Sequence, residues 1–327
     1  MKKSLSKFIL GILMSVLLIA CGSKNEKKGE SVIVSNYPMY TFTKMIAGDS
    51  LEIINLVPPG TEPHDWEPSV RDIANLEEAR AFIYNGAGME PWVNKVLSSL
   101  GNKELVTLEA SKGVKLIELE DHDEEEELEH HHEEHHHHHH NEEEHHHEHH
   151  HHHGKWDPHV FLSLRGAQIE LFNIKNVLQE INPKDKELYQ SNYEKAVSEL
   201  KALDREYTKE LSPYQGGNIV VAHEAFGYLC RDYNLNQIGI EEVFADSEPS
   251  PAKMKEIIDF VREHKVKVIF FESLASPKVA NAIAKETGVR TDMLNPLEGL
   301  TQEEIDRGEN YFSIMKKNLK ALKEALE

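Results

Sequence analysis

Between residues 118 and 153 the chain carries 18 histidines and 15 acidic side chains, with no lysine or arginine. Leu119 and Leu128 are its only apolar side chains, so ordering it would cost conformational entropy with no core in return. Any fold must therefore be built from the sequence on either side, with the tract carried as a loop. Histidine-rich tracts are a compositional signal for metal binding, since neutral imidazole is the commonest metal ligand. The histidines concerned are His122, His130, His131, His132, His135, His136, His137, His138, His139, His140, His145, His146, His147, His149, His150, His151, His152 and His153. A flexible set of this kind offers many weak, interchangeable ligand shells but not one rigid, selective shell. It is expected to be an accessory metal-binding loop that gathers metal near a better-built site. The run 135–140 lies inside the chain between acidic blocks, which is not where a purification tag sits.

The net charge of −21 is largely local, because the tract supplies −15 of it. No basic cluster outside the N-terminal leader offsets this, so nucleic-acid binding is excluded as a working function. Lys2, Lys3 and Lys7 precede an apolar run over residues 8–20 that is short for a membrane span. Leu18-Ile19-Ala20-Cys21 resembles a bacterial lipobox. Residues 1–20 are thus expected to be a lipoprotein signal peptide, Cys21 the lipidated residue and 21–30 a polar tether. The expected place is the bacterial cell surface, lipid-anchored at the outer face of the cytoplasmic membrane. Cys230 is then left without a partner for an intramolecular disulfide, and its helical, apolar setting reads as a small buried hydrophobe.

Strand-like and helical patterns alternate on both sides of the tract. Short apolar strands are expected at 31–35, 51–57, 81–84 and 104–108, with helices at 38–47, 68–79 and 90–100 between them. After the tract the alternation resumes with strands at 218–222, 237–240, 266–271 and 289–294. Helices are expected at 225–233, 251–264, 277–286 and 311–326. Two helical stretches, 168–181 and 184–211, stand between these halves, with Asn182 expected to cap the second and Pro183 to open it. The second would reach about 42 Å at about 1.5 Å per residue. The expected fold class is α/β: two lobes, each a mostly parallel sheet flanked by helices, joined by one long rigid helix. The boundaries are an N-terminal lobe over 31–183 with the loop at 118–155, a linking helix over 184–212, and a C-terminal lobe over 213–327.

Outside the tract there are four histidines: His64, His159, His223 and His264. The first three fall where loops follow expected strands, which is where open α/β sheets bind ligands. Glu272 follows the apolar strand Val268-Ile269-Phe270-Phe271, and a carboxylate so placed needs a helix N-terminus or a cation as partner. Three imidazoles and a carboxylate suit tetrahedral zinc. His264 lies near the end of a helix, where a cation favours the helix dipole, and reads as surface.

Five segments carry a family resemblance: Pro58-Pro59-Gly60-Thr61-Glu62-Pro63-His64, Asp157-Pro158-His159-Val160, His223-Glu224-Ala225-Phe226-Gly227-Tyr228, Phe270-Phe271-Glu272 and Asn295-Pro296-Leu297-Glu298-Gly299-Leu300. Over about residues 31–327 the chain resembles the zinc-binding lipoproteins that serve as substrate-binding components of ABC-type zinc importers, within the zinc and manganese group. The resemblance implies a transported Zn2+ held between the lobes, by His64 and His159 from the first and His223 and Glu272 from the second. Glu62 or a water is the alternative to Glu272 as fourth ligand. Manganese members carry a carboxylate at the third position, so His223 points to zinc. The implied partners are an ABC permease with its ATPase and the membrane through the lipid anchor, with the protein itself a monomer. A manganese-binding member of the same group and a surface adhesin or metal buffer are the other readings. A zinc hydrolase is disfavoured: the His-Glu-x-x-His matches at 132–136 and 147–151 lie in the tract, and after His223-Glu224 the next histidine position is Gly227.

Overall fold

The computed structural model describes residues 31–119, 155–244 and 249–327. The expected leader, Cys21, the tether and the histidines of the tract lie outside the described residues.

The first lobe runs β1 (Val32–Val34), α1 (Tyr37–Ala47), β2 (Ile53–Asn55), α2 (Val70–Glu78), β3 (Ala81–Tyr84), α3 (Val93–Ser99) and β4 (Val106–Glu109). After the tract come α4 (Gly166–Ile181) and the long α5 (Lys186–Leu211). The second lobe runs β5 (Asn218–His223), α6 (Gly227–Tyr233), β6 (Asn236–Glu241), α7 (Pro251–Glu263), β7 (Val268–Phe271), α8 (Lys278–Thr287), β8 (Arg290–Met293), α9 (Gln302–Asp306) and α10 (Tyr311–Leu326). The sheets are ordered β2-β1-β3-β4 and β6-β5-β7-β8, and each neighbouring pair is parallel. Parallel strands need crossovers, and the intervening helices supply them. The fold class is the expected one.

Helix starts follow local chemistry. Asn36 accepts the Met39 N–H ahead of α1, and Ser69 and Asp72 form a reciprocal capping box on α2. Ser250 accepts the Lys253 N–H ahead of α7, as its position before Pro251 suggests. Asn182 does not cap the long helix. Its amide donates instead to the Tyr189 hydroxyl and to Asp185, while Pro183–Asp185 form a 3-10 turn before α5 begins. Helix α5 has 26 residues, about 39 Å in length.

One continuous apolar core explains why this helix is a joint without play. Val32 and Ile83 of the first sheet, Leu200, Leu203 and Tyr207 of α5, and Val221 and Phe270 of the second sheet belong to the same buried cluster. Each sheet has a smaller cluster on its outer face, around Ile33 and Phe82 and around Val220 and Ile269. The strand patterns that alternate between these clusters are continuous apolar runs, as sheets covered on both faces require. Cys230 is buried in the shared core, as expected. Among the described residues no helix is long and apolar enough to cross a membrane.

The two ends of the tract are pinned together. Glu118 and Trp156 form an antiparallel bridge, Leu119 N–H donates to the Lys155 carbonyl, and Asp157 N–H donates to that of Ile117. This stem delivers the chain directly to His159.

Candidate metal centre

Four side chains, carried at or beyond the ends of strands from both sheets, meet at one place. His64 comes from the proline-rich loop after β2. His159 comes from the segment that leaves the stem and enters a 3-10 turn at Val160–Leu162. His223 is the last residue of β5. Glu298 stands on the loop after β8, whose residues 294–300 are all buried. Their ligand atoms lie within 4.8 Å of one another.

Three of the distances match a small tetrahedral shell. His64 Nε2 is 3.3 Å from His159 Nε2, which is 3.4 Å from His223 Nε2. Glu298 Oε1 lies 2.9 Å from His64 Nε2, 2.7 Å from His159 Nε2 and 3.4 Å from His223 Nε2. A tetrahedron with arms of about 2.0–2.1 Å has edges of about 3.3–3.4 Å. The 3.3–3.4 Å separations fit that shell, while the two shorter contacts of Glu298, at 2.9 and 2.7 Å, are charge-assisted hydrogen bonds that a bound dication would open.

Two of the imidazoles are oriented by carboxylates behind them. His159 Nδ1 donates to Asp157 Oδ1 at 2.9 Å, and the same oxygen accepts the His159 backbone N–H. His223 Nδ1 donates to Glu272 Oε1 at 2.7 Å, and that oxygen also accepts the His223 backbone N–H. A proton fixed on Nδ1 leaves the Nε2 lone pair facing inward, the arrangement that orients metal-binding histidines. His64 differs, because its Nδ1 has no partner among the described residues.

This placement corrects the expectation for Glu272. Its carboxylate faces the outer nitrogen of His223, and Glu298 takes the fourth place among the converging groups. Glu62, the alternative, sits beside the cluster and accepts the His64 backbone N–H at 3.2 Å. Burial, and then the negative charge of Glu298, push the Glu62 carboxyl up to about 9, and Glu62 lies outside the four groups whose ligand atoms converge. His264 stays exposed at the end of α7, its ring stacked on Phe260 at 4.0 Å.

The electrostatics favour positive charge at the centre. Burial opposes ionisation of His159, but the Asp157 and Glu298 bonds override it and raise the imidazole to about 9. His223 is likewise raised against the pull of burial by Glu272 and Glu298. Glu298 is held well below the usual carboxylate range, despite its burial, by His223 and His64 and by bonds from His159 and His223. A buried carboxylate and three convergent imidazoles are a site that trades protons for a cation.

Glu298 is the member of the converging group that pattern reading left without a role. The signal was present: a lone acid inside Asn295-Pro296-Leu297-Glu298-Gly299-Leu300, otherwise apolar or turn-forming. Leu297 has φ of 62° and its N–H is tied to Asn295 Oδ1, a tight turn that aims the next side chain inward.

Comparison with known proteins places this geometry. The family described as ZnuA, zinc-uptake complex component A, periplasmic, matches residues 32–325. The chain is 38% identical over 325 residues to the zinc-binding lipoprotein AdcA of Streptococcus pneumoniae, covering 98% of this chain. It spans only 60% of that relative's length. It is 40% identical over 318 residues to the high-affinity zinc uptake system protein ZnuA of Bacillus subtilis, covering 95% of this chain and 94% of the relative. A crystal structure of the Zn(II)-bound ZnuA-like domain of Streptococcus pneumoniae AdcA superposes with a TM-score of 0.72 at 35% identity, covering 91% of this chain and 99% of that one.

Proposed function

We propose, for a chain that belongs to the zinc-uptake complex component A family, that it captures Zn2+ between its lobes outside the cell and passes it to a membrane permease powered by its ATPase. The observation that carries this reading is the convergence of three Nε2 atoms and one carboxylate oxygen, drawn from both lobes and lying within 4.8 Å of one another. His64, His159, His223 and Glu298 are the proposed ligands, with Asp157 and Glu272 holding two of the rings. A shell closed by four protein groups binds and releases, whereas a catalytic zinc keeps a position for water. Imidazoles suit zinc, whereas manganese is better served by oxygen ligands.

The sequence pattern around Cys21 supports a lipidated anchor at the outer face of the cytoplasmic membrane, and the tract supports a role in gathering metal for the site. The test is a titration of protein lacking the tract with zinc and manganese in competition. One zinc per chain is expected, outcompeting manganese, and alanine at any of the four ligands should remove most of the affinity. Full affinity in the His64, His159 and His223 alanine variants would sink the assignment. Conversion of Cys21 to Ala should move the protein from the membrane fraction to the medium.

A further inference from the structure

Helix α6 begins four residues after His223 and lies against the segment that carries His159. Four bonds cross between the lobes here. The Tyr228 hydroxyl donates to the Asp157 carbonyl at 2.7 Å and accepts the Ile117 N–H at 3.2 Å. Arg231 donates to the Lys115 carbonyl at 2.9 Å, with its guanidinium against the Tyr228 ring, and Ser163 Oγ donates to Asp232. Gly227 permits this approach, since a Cβ there would meet Asp157 Oδ2 at 2.5 Å.

We infer that Tyr228, admitted by Gly227, is a positioning residue of the metal centre: from the second lobe it locks the Asp157 that aims the ring of His159. The inference rests on the zinc-binding reading above. Asp157 is the only described partner of His159 Nδ1 and also of its backbone N–H, so the ring is as well placed as Asp157 is. Asp157 in turn is held at its N–H by Ile117 of the stem and at its carbonyl by Tyr228. The Tyr228 hydroxyl also takes the Ile117 N–H, so one oxygen closes the stem, the ligand loop and α6 into a single unit. Since α6 follows directly on His223, this unit sets the relation of a first-lobe ligand to a second-lobe ligand. Loosening it lets the His159 ring turn, which speeds metal release and distorts the coordination shell.

Tyr228→Phe removes the hydroxyl and keeps the buried ring. Its zinc release, followed by chelator chase on the full chain, should be about tenfold faster, the low end of what losing an outer partner costs. Stoichiometry should stay at one metal per chain, and the visible bands of the Co(II)-loaded protein should shift. Gly227→Ala, which displaces Asp157, should act in the same direction and more strongly, and it carries the test if the phenylalanine variant does not fold. Tyr207→Phe is the structural control, because it also loses a buried hydroxyl bond, to the Met315 carbonyl. Release rate and Co(II) spectrum should be unchanged there. A wild-type rate and spectrum in Tyr228→Phe, or an equal change in Tyr207→Phe, overturns the positioning role alone. Zinc release indifferent to His159→Ala would bring down the site, and this inference with it.

Discussion

Both sheets run second, first, third, fourth strand, all parallel, yet matching corners of the two lobes hold different chemistry. In the first lobe, Ser35 follows β1 and donates at 2.5 Å to Glu90, on the loop after β3. In the second, His223 ends β5 and donates at 2.7 Å to Glu272, directly after β7. Each corner thus ties its first strand to a carboxylate beyond its third. A serine has one polar atom and spends it on that bond. An imidazole has two, so the carboxylate takes one nitrogen and the other faces the cation. The loops beyond the fourth strands contrast less, since His159 and Glu298 both reach the centre. The same frame therefore makes a sealed polar corner in one lobe and an oriented ligand in the other.

The largest effect should come from the fourth-strand pair. His159→Ala and Glu298→Ala each remove one of the four proposed ligands, and a quarter share of the roughly 10–16 kcal/mol typical of structural zinc is roughly a hundredfold or more in affinity. Chelator competition measures it. If Glu298→Ala binds zinc as tightly as the parent while Glu272→Ala does not, the assignment of the two carboxylates is reversed.

The corner carboxylates should separate next. Glu272→Gln should keep one-to-one binding but weaken it by about tenfold, through a less fixed His223. Glu90 accepts bonds from Ser35, Asn36 and the N–H groups of Asn85 and Gly86. Glu90→Gln should instead cost stability, about 1–3 kcal/mol by denaturant unfolding, with zinc affinity near that of the parent. Equal losses of affinity in the two variants would erase the distinction between the lobes.

The pH response sharpens the same contrast. His159 is raised to about 9 in the metal-free fold, against about 6.5 in an unfolded chain. Its contribution to metal-free stability is thus fully present below about 6.5 and lost as pH rises through about 9. Zinc competes with those protons, so its affinity should fall as pH drops from about 9. The rise in melting temperature on adding zinc should grow across the same window, and a gain independent of pH would contradict a proton-for-metal exchange. The smallest effect is expected from Glu62→Gln: lying outside the four converging groups, Glu62 should be replaceable with far less loss than Glu298→Ala in the same competition assay.

Much of this was legible in the chain. Strand and helix periods placed the elements to within a few residues because the inner strands β1, β3, β5 and β7 are buried on both faces and read as apolar runs. Three of the proposed ligands were legible because isolated histidines are few, and two of them, His64 and His159, are stiffened by Pro58, Pro59, Pro63 and Pro158. The cap at Asn182 was misread because Tyr189, one helical turn inside α5, competes for its amide. Residues 302–306 form a short helix, with a Thr301 and Glu304 capping box, that the pattern did not mark; its five residues are too few for a period to show.

By itself the sequence determined two parallel-sheet lobes, the long helix between them and the imidazoles of the centre, since these follow from hydrophobic period, turn chemistry and residue type. Glu272 and Glu298 are both acids set beside apolar runs beyond strands of the second lobe, and nothing along the chain tells them apart. The tertiary structure decided between them: where the sheets face each other, Glu272 lies behind His223 and holds Nδ1, while the tight turn at Leu297 brings Glu298 to the Nε2 side. One imidazole cannot offer the same nitrogen to a carboxylate and to a cation, so the geometry around His223 separates the ligand from its support.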